Sequence, residues 1–459
     1  MPLSNAVLYC AVNGIANNTN GIGRQTKTFL ATLAQHHEQL AAHAGPFTPY
    51  LAVPEPGPAT WGYDPADLAH ARHVIEGLGG RVIALPYDTT RPLWRPAAWK
   101  VLCEQAAAAA ADLTRQHAHV LTIGVDTPFA GLAHHAGHER VDTLLALFST
   151  TRITERPHPD SGRLAWEHTA LAAANEQPNV WVADIGHFLS RHLQHDYGLH
   201  PARLRPWPSG LHLTSPDLTA PTCDESQRIV HGHGIPTTWP IIAAVARTDH
   251  TKGIDLLIEA AVPLRDQIHL ALIVVPTDDE RAALLDDYRA RIAELNLNAT
   301  VIGHYTRALP RALAGLPATR VMAVPSRGET LANIVFETAL WAQHAGAIVL
   351  APAIDGFREQ ITDGHNGLLY DPAAPGALTA GLQRALNLPD PRRNEMRTTA
   401  RQRVLADRNA AQHLATLLAS FWRPAPTQIA TLDDHPIPDA RTPRSQAPAS
   451  IHTNPEARQ

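Results

Sequence analysis

The sequence predicts an α/β protein built from two doubly wound, Rossmann-like domains that face each other across a cleft. Apolar runs of strand length alternate with longer stretches of helical spacing, and this alternation occurs twice along the chain. The runs are continuous rather than alternately apolar and polar, as in parallel strands that are buried on both faces. With 459 residues, the chain is long enough for two separate cores.

The predicted strands fall into two sets. The first half contains them at residues 6–12, 49–54, 81–87, 119–125, 143–150 and 180–185. The second half contains them at residues 241–247, 271–277, 299–304, 320–326 and 347–352. Stretches of helical spacing lie between most of these runs, for example at residues 95–116. Strands that alternate with helices in this way indicate parallel sheets.

Changes in composition set the predicted domain boundaries. Residues 214–238 are enriched in proline, threonine and charged residues, so we predict an interdomain linker there. The N-terminal domain then occupies residues 1–213 and the C-terminal domain residues 239–390. We expect the helices of residues 391–422 to pack back toward the N-terminal domain. Residues 423–459 are rich in proline and poor in large apolar side chains, which predicts a disordered tail.

Charge and cysteine usage exclude several classes of protein. Lysine and arginine total 38 against 43 aspartates and glutamates, so no excess of positive charge indicates nucleic acid as a partner. The three cysteines lie far apart and form neither a disulfide framework nor a zinc motif, which fits a reducing compartment. The N-terminus lacks the pattern of a signal peptide, and no run approaches the roughly 18 apolar residues of a transmembrane helix. We therefore expect a cytoplasmic protein without a transmembrane segment.

A glycine-rich stretch follows the first predicted strand. Residues 20–30 read NGIGRQTKTFL, in which Gly21 and Gly23 let the backbone come close to a ligand. The helix that follows offers unpaired N–H groups to a phosphate or a sugar oxygen. The third position of a dinucleotide-binding GxGxxG motif is occupied by Thr26, which disfavours a dinucleotide-dependent oxidoreductase. The alternative interpretation is that this stretch is a tight turn without a ligand-binding function.

Two cations stand where the first strand of the second half meets its helix. Arg247 ends the predicted strand, and Lys252 lies at the start of the helix. Positive charge at a helix N-terminus opposes the helix dipole unless an anion lies nearby. A diphosphate would resolve the conflict, with the arginine as a planar fork and the lysine as a point charge. Two solvated charges are the alternative.

Residues 325–340, PSRGETLANIVFETAL, place two glutamates across a predicted strand-to-helix turn. Glu329 lies in the turn and Glu337 further along the helix. The amides of Leu331, Ala332 and Asn333 would open the helix and can bind a phosphate. Glu329 would contact the group attached to that phosphate. Glu337 would bind a vicinal diol such as that of a ribose. A capping carboxylate and a solvated carboxylate are the respective alternatives.

These motifs together resemble the family 4 retaining glycosyltransferases, which have the GT-B fold. The segments ARTDHTKGIDLLIEA, VPSRGETLANIVFETALWA and VLAPAIDGFREQITDGHNGLLYDP resemble the second domain of that family in order and spacing. The resemblance covers roughly residues 6–421 and is stronger in the second domain. Glu329 and Glu337 match the family's E-x7-E pattern.

The resemblance implies roles for these residues. Arg247 and Lys252 would hold the diphosphate of a nucleotide-sugar donor and, with Glu329 at the donor sugar, would be the catalytic groups. Glu337 would hold the ribose, the amides of residues 331–333 the phosphate and sugar, and Gly21 and Gly23 would approach the phosphate across the cleft. No metal would be needed, because cations and helix dipoles carry the leaving charge.

The chain departs from the family pattern after the fifth strand. Many members carry a histidine there, whereas this chain has Ser149. Asp126, His168 and Ser149 are therefore candidate contacts to the acceptor or the donor sugar. Asn333 adds an amide that can contact the sugar or the phosphate.

The resemblance implies a cytoplasmic, metal-independent hexosyl- or related glycosyltransferase. It would move a sugar with retention to a hydroxyl, or an amine, of a small-molecule, glycan or lipid acceptor. No cofactor beyond the co-substrate is expected, and UDP, GDP and ADP remain open as its nucleotide. The alternatives are a GT-B polysaccharide synthase or phosphorylase-like enzyme, and a catalytically degenerate sugar-nucleotide-binding protein. The sequence does not indicate the oligomeric state.

Overall fold

The structure is a computed structural model that describes residues 4–17, 21–58, 62–90, 92–304, 306 and 308–422. The predicted tail, residues 423–459, lies outside this part of the chain. The described residues form two parallel sheets with helices on both faces, so the predicted fold class is confirmed. Each sheet belongs to its own domain, and a cleft separates the two domains.

The N-terminal domain contains a seven-stranded parallel sheet in the order β3-β2-β1-β4-β5-β6-β7. Its strands are β1 (Asn5–Cys10), β2 (Phe47–Pro54), β3 (Val82–Leu85), β4 (Val120–Val125), β5 (Val141–Ala146), β6 (Val180–Asp184) and β7 (Leu204–Pro206). Its helices are α1 (Gly21–Ala44), α2 (Pro65–Gly77), α3 (Pro96–Leu113), α4 (Thr151–Thr154), α5 (Ser161–Glu176) and α6 (His187–Tyr197). The order reverses between β1 and β4, which makes a topological switch point there.

The C-terminal domain contains a six-stranded sheet in the order β10-β9-β8-β11-β12-β13. Its strands are β8 (Ile241–Arg247), β9 (His269–Val275), β10 (Ala299–Ile302), β11 (Thr319–Ala323), β12 (Ile348–Pro352) and β13 (Leu368–Tyr370). The helices of the second half of the chain are α7 (Cys223–Gly232), α8 (Ile254–Ala261), α9 (Asp279–Glu294), α10 (Ala308–Gly315), α11 (Asn333–Trp341), α12 (Phe357–Gln360), α13 (Ala377–Leu386), α14 (Asp390–Asp407) and α15 (Ala410–Trp422). The switch point of this sheet lies between β8 and β11.

Local sequence signals account for several element boundaries. Asp64 caps α2 by accepting a hydrogen bond from the Ala66 amide, and Pro65 occupies the first helical position. Gly198 ends α6 in the left-handed conformation, with φ 70°. Strands β4 and β12 are fully buried and β1 is buried after its first residue, as their continuous apolar runs predict.

Two edge strands, β7 and β13, are absent from the predicted set. Each has three residues and pairs with only one neighbour. A run this short does not stand out from the surrounding loops by apolar pattern alone. The sequence therefore gives no signal for the pairing of β7 with β6 or of β13 with β12.

The helices near the predicted domain boundaries distribute between the two domains. Helix α7, inside the predicted linker, packs through Val230 on the core that contains Leu309 and Leu313 of the C-terminal domain. Helix α14 contributes Met396 to the same domain. Helix α15 instead places Leu414 and its neighbours in the core of the N-terminal domain. The chain thus crosses back between α14 and α15.

Candidate active site

The cleft between the domains has a volume of about 1030 Å³ and lies at the carboxyl ends of both sheets. We define the N-domain wall as Gly21, Arg24, Gln25, Trp94, Asp126, Ser149, Thr150 and Arg163. We define the C-domain wall as Arg247, Asp249, Lys252, Arg281, Glu329, Leu331, Ala332, Asn333 and Glu337. Both switch points open onto this space, which is where doubly wound sheets bind ligands.

Lys252 and Glu329 form an ion pair on the C-domain wall. The Lys252 Nζ donates to Glu329 Oε2 at 2.6 Å, and the two side chains are 24% and 17% exposed. Gly253, with φ 66°, turns the chain into α8 directly after Lys252. A side chain at Gly253 would come within 2.1 Å of the Pro325 carbonyl oxygen, so this glycine lets the two loops touch. The ion pair joins motifs that lie 77 residues apart in the sequence.

Arg247 is the last residue of β8, as the sequence predicts. Its Nη2 lies 3.9 Å from Asp249 Oδ2, and its side chain is 41% exposed. Arg281 lies 4.0 Å from the same carboxylate and also pairs with Asp278, while its buried Nε has no hydrogen-bond partner among the described residues. These contacts leave donors of both guanidinium groups available to an anionic ligand.

Helix α11 begins at Asn333, with Ala332 as its N-cap residue. The Ala332 amide donates to Gln360 Oε1 at 3.0 Å, so this predicted phosphate ligand is already hydrogen-bonded within its own domain. The Asn333 side chain links the two walls: its Nδ2 donates to the Gly21 carbonyl at 3.2 Å, and its Oδ1 accepts from Gln25 at 3.3 Å. The glycine stretch and the start of α11 thus lie directly opposite each other.

Glu337, on α11, also pairs across the cleft. The Arg24 Nε lies 3.1 Å from Glu337 Oε1, and the side chains are 27% and 13% exposed. Burial raises the pKa of Glu337, Arg24 lowers it, and Asp217, which is 3.9 Å from Arg24, raises it. The sequence analysis did not single out Arg24. A cation in the first turns of a helix is the same signal that identified Lys252.

Asp126 follows β4 in a conformation that only glycine adopts readily, with φ 65° and ψ 177°. Its amide donates to the Ala146 carbonyl at 2.9 Å, which fixes it between the ends of β4 and β5. Burial raises the pKa of Asp126 to about 6, although the Thr127 amide lowers it. A strained carboxyl group with a raised pKa at a switch-point strand is a candidate for contact with a reacting hydroxyl.

The loop after β5 carries Ser149 and contacts the turn that holds Glu329. The Thr330 hydroxyl donates to the Phe148 carbonyl, and a side chain at Gly328 would come within 2.4 Å of the Ile153 carbonyl oxygen. The Ser149 Oγ is buried and has no hydrogen-bond partner in the described part of the chain. This hydroxyl lines the cleft and is available to a ligand.

A second residue absent from the sequence analysis, Glu167, fixes two loops of the N-domain wall. Its Oε1 accepts from the Thr151 amide at 2.8 Å, the Thr151 hydroxyl at 2.7 Å and the Thr127 hydroxyl at 3.3 Å. Its Oε2 accepts from the Tyr197 hydroxyl at 2.6 Å. Burial raises the pKa of Glu167, and these hydrogen bonds oppose the rise. The loops after β4 and β5 therefore share one buried carboxylate.

Two predicted residues lie away from the cleft. His168, on α5, packs against the Tyr197 ring with centroids 4.5 Å apart. Gly23 is buried against Gly14. A side chain at Gly14 would come within 2.4 Å of the Gly23 carbonyl oxygen. Gly21 lines the cleft, and Asn20, the first residue of the glycine stretch, lies outside the described residues.

The described residues contain neither a cluster of metal ligands nor a membrane-spanning helix. No group of three or more histidine, cysteine, aspartate or glutamate residues there is arranged to hold a metal ion. No described helix combines the length and the apolar character that crossing a membrane requires.

Comparison with protein families gives the context of the C-domain wall. Residues 225–403 match the family described as glycosyl transferases group 1. The match contains the Arg247, Lys252, Glu329 and Glu337 positions, and it ends within α14.

Curated relatives of the chain include two kinds of enzyme. The chain is 30% identical over 242 residues to a D-inositol 3-phosphate glycosyltransferase of Gordonia bronchialis, a match that covers 50% of this chain and 48% of that protein. It is 32% identical over 149 residues to glycogen synthase 1 of Bradyrhizobium diazoefficiens, covering 32% and 30%. The chain thus spans about half the length, or less, of the curated relatives it matches.

Solved structures match across both domains. A sucrose-phosphate synthase from Thermosynechococcus elongatus has a TM-score of 0.66 and 20% identity, covering 91% of this chain and 98% of that chain. Anabaena HepE, in a complex with UDP and glucose, has a TM-score of 0.67 and 12% identity, covering 91% and 99%. The chain therefore has the GT-B fold across both domains.

Proposed function

We propose that the protein is a glycosyltransferase that moves a sugar from a nucleoside-diphosphate sugar to a hydroxyl group with retention of anomeric configuration. The donor binds the C-domain wall. Arg247 and Lys252 hold the diphosphate, Glu329 contacts the sugar, and Glu337 accepts hydrogen bonds from the ribose. The acceptor enters from the N-domain wall, and its identity as a small molecule, a glycan or a lipid is left open.

The observation that carries this proposal is the contact between Lys252 and Glu329. It joins a cation at the start of one helix to the turn before another, next to Arg247 at the end of β8. A diphosphate between these cations and the N-terminus of α11 would meet positive charge from both side chains and backbone. Glu329 lies at the cleft side of this arrangement, where a sugar attached to the diphosphate would emerge.

The names of the curated relatives and of the structural neighbours support a nucleoside-diphosphate sugar as the donor. The curated relatives are called D-inositol 3-phosphate glycosyltransferase and glycogen synthase, and the crystal structure of HepE contains UDP and glucose. A polysaccharide synthase is the second candidate, because one relative is called glycogen synthase 1. It ranks second because that match covers only 30% of that protein. A sugar-nucleotide-binding protein without turnover is the third.

We propose that transfer needs no metal ion, because the two cations and the helix N-terminus can stabilise the charge on the leaving diphosphate. We also assign the protein to the cytoplasm. All three cysteines, Cys10, Cys103 and Cys223, are free, which supports a reducing compartment.

A thermal-shift screen with UDP-, GDP-, ADP- and TDP-glucose tests the donor class. A ligand at 100 times its Kd stabilises the folded state by about 2.7 kcal/mol, which such a screen detects. We expect one nucleotide to shift the melting temperature well above the others. No shift with any sugar nucleotide would contradict the proposal.

Incubation with the selected donor separates an enzyme from a binding protein. Slow release of free glucose, with water as the acceptor, is the result expected of a glycosyltransferase. NMR of the first-formed sugar gives its anomeric configuration, and an inverted product would contradict retention. Activity should persist in excess EDTA, whereas loss of activity with rescue by magnesium or manganese would contradict metal independence.

A further inference from the structure

A carboxylate on the loop between β12 and α12, that of Asp355, joins the turn that holds Glu329 to the N-terminal domain. The Asp355 Oδ2 accepts a hydrogen bond from the Glu329 amide at 3.3 Å. The same oxygen lies 2.9 Å from Nη1 of Arg156, which follows α4 in the N-terminal domain. The Asp355 side chain is 10% exposed and that of Arg156 is 40% exposed. An ion pair between the two domains thus contacts the backbone of Glu329 directly.

The backbone of Asp355 is held in an uncommon conformation. Its φ of 46° lies in the left-handed region, which few residues with a side chain adopt. The next residue, Gly356, donates its amide to the Glu329 carbonyl at 3.0 Å. A side chain at Gly356 would collide with the Thr330 carbonyl oxygen, so the loop packs directly against the turn. Strain of this kind persists where the surrounding contacts fix the residue in place, as they do here.

The segment that carries the arginine, residues 148–156, contacts the C-terminal domain at two further points. The Thr330 hydroxyl donates to the Phe148 carbonyl. The Thr251 hydroxyl donates to the Thr154 carbonyl at 2.8 Å. Both are neutral hydrogen bonds from a side chain to the backbone, so the aspartate ion pair is the charged contact among the three. The segment therefore faces both loops that carry the paired lysine and glutamate of the proposed donor site.

The ion pair also balances charge at the turn. Asp355 brings a second carboxylate to a turn that already carries Glu329, and each carboxylate has its own cation: Lys252 pairs with Glu329 at 2.6 Å and Arg156 pairs with Asp355. Without the arginine, a nearly buried carboxylate would lose its charged partner, which disfavours the arrangement seen here. Neither Arg156 nor Asp355 lines the cleft, so both can affect a ligand there only through Glu329.

We propose that Arg156 and Asp355 are positioning residues, and that their ion pair, the interdomain latch, places Glu329 against the donor sugar. The inference rests on the glycosyltransferase function proposed above. The latch transfers no proton and touches no substrate. Because it has one residue in each domain, the sugar end of the donor site is complete only when the N-domain wall, from which the acceptor enters, faces the donor. The nucleotide end, which Glu337 holds, does not contact the latch.

The test compares variants of the full chain in hydrolysis of the donor selected by the thermal-shift screen. Arg156→Ala removes the cation, and we expect kcat to fall about 10- to 100-fold, because a small misplacement at the reacting centre has effects of this size. Arg156→Lys keeps the charge and should return kcat to within a few-fold of the parent protein. Asp355→Gly suits the left-handed conformation and removes the carboxylate, so it should lower kcat at least as much as Arg156→Ala.

Nucleotide affinity separates positioning of the sugar from a general structural role. Calorimetry with the nucleoside diphosphate should give the parental Kd in every latch variant, because the latch acts on the sugar end alone. The matched control is Arg152→Ala. Arg152 is exposed on α4 and contacts His168 and Tyr197 of its own domain, so this variant should keep the parental kcat. Thermal melts of all variants should remain cooperative.

A double-variant cycle tests whether the two residues act as one unit. The variant with both Arg156→Ala and Asp355→Gly should lose no more kcat than the slower single variant, because either change alone breaks the latch. Three results would overturn the latch and leave the glycosyltransferase proposal intact: parental kcat in both single variants, loss of nucleoside diphosphate affinity in parallel with kcat, or single effects that multiply in the double variant. If no sugar nucleotide binds the parent protein, the proposed function fails and the latch fails with it.

Discussion

The two walls of the cleft hold their charges in different ways. On the C-domain wall the charged groups pair with one another, as Lys252 does with Glu329 and Arg247 does with Asp249. These side chains remain between 17% and 41% exposed. On the N-domain wall burial is the largest cause of the raised pKa of Asp126, and Arg163 and Arg247 oppose it more weakly.

This difference separates two kinds of chemistry. Paired, partly exposed ions can exchange partners with a charged ligand at modest cost, because the pairs are screened and weak. A buried carboxyl group is fixed in place and has a raised pKa, which suits contact with neutral hydroxyls and protons. The comparison predicts that substitutions of the ion-paired side chains change binding of the nucleotide or the sugar, whereas substitutions of the buried groups of the N-domain wall change turnover or stability.

The largest expected effect comes from removing both cations of the C-domain wall. Each charge-assisted contact to a phosphate contributes roughly 1.5–3 kcal/mol. Replacement of Arg247 and Lys252 together by alanine should lower kcat/KM for the donor roughly 10²- to 10⁴-fold, and each single variant roughly 10- to 150-fold. Steady-state kinetics with the selected donor measure this.

The matched control for the cation variants is Arg265→Ala, an exposed arginine of the same domain whose side chain is 50% exposed. It should leave kcat/KM unchanged, and thermal melts of all variants should remain cooperative. Wild-type kinetics in both single cation variants would show that the diphosphate does not bind this wall.

Asp126→Asn should stabilise the protein in a pH-dependent way. Folding raises the pKa of Asp126 from 3.8 to about 6, so ionisation costs free energy only in the folded state. The free energy of unfolding of the parent protein therefore falls as the pH rises from about 4 to about 6. The amide removes this cost, so the variant should gain nothing at pH 4 and up to about 3 kcal/mol at pH 7.

Urea denaturation of both proteins at the two pH values measures the effect of Asp126→Asn. An equal change in stability at pH 4 and pH 7 would show that burial of the charged carboxylate is not the cause. Nucleotide affinity should stay unchanged, since Asp126 belongs to the N-domain wall.

Arg24→Gln should have the smallest effect, because it removes one ion pair between the walls. In this account the ribose replaces Arg24 as the partner of Glu337. A partly exposed ion pair contributes up to about 1 kcal/mol, so loss of the competing cation should tighten binding of the nucleoside diphosphate by up to about fivefold. Titration calorimetry measures it. A tenfold loss of affinity would instead make Arg24 a phosphate ligand.

The same contrast between the walls explains how much the sequence could predict. Arg247 ends a strand and Lys252 precedes a helix, while Glu329 and Glu337 lie in one continuous turn-and-helix stretch, so local pattern identifies all four residues. The alternation of strands and helices predicts both sheets, whereas the three-residue edge strands give no local signal.

The N-domain wall depends on contacts that no local pattern encodes. Glu167 and His192 lie on helices whose sequences show only ordinary polar positions, and they reach the cleft through hydroxyls of other loops. The contact of Asn333 with Gly21 joins residues 312 positions apart. The strain at Asp126 is likewise a property of the assembled loop, because aspartate by itself does not predict a positive φ.

Calorimetry with the nucleoside diphosphate of the selected donor tests the central claim, that Glu337 binds the nucleotide and Glu329 the sugar. Glu337→Ala should weaken binding of the diphosphate roughly 10- to 100-fold, since two hydrogen bonds to a carboxylate are lost. Glu329→Ala should lower turnover but leave this affinity unchanged or tighter, because Lys252 is released from its ion pair. If Glu329→Ala loses as much affinity for the nucleoside diphosphate as Glu337→Ala, the assignment of the two glutamates to opposite ends of the donor is wrong.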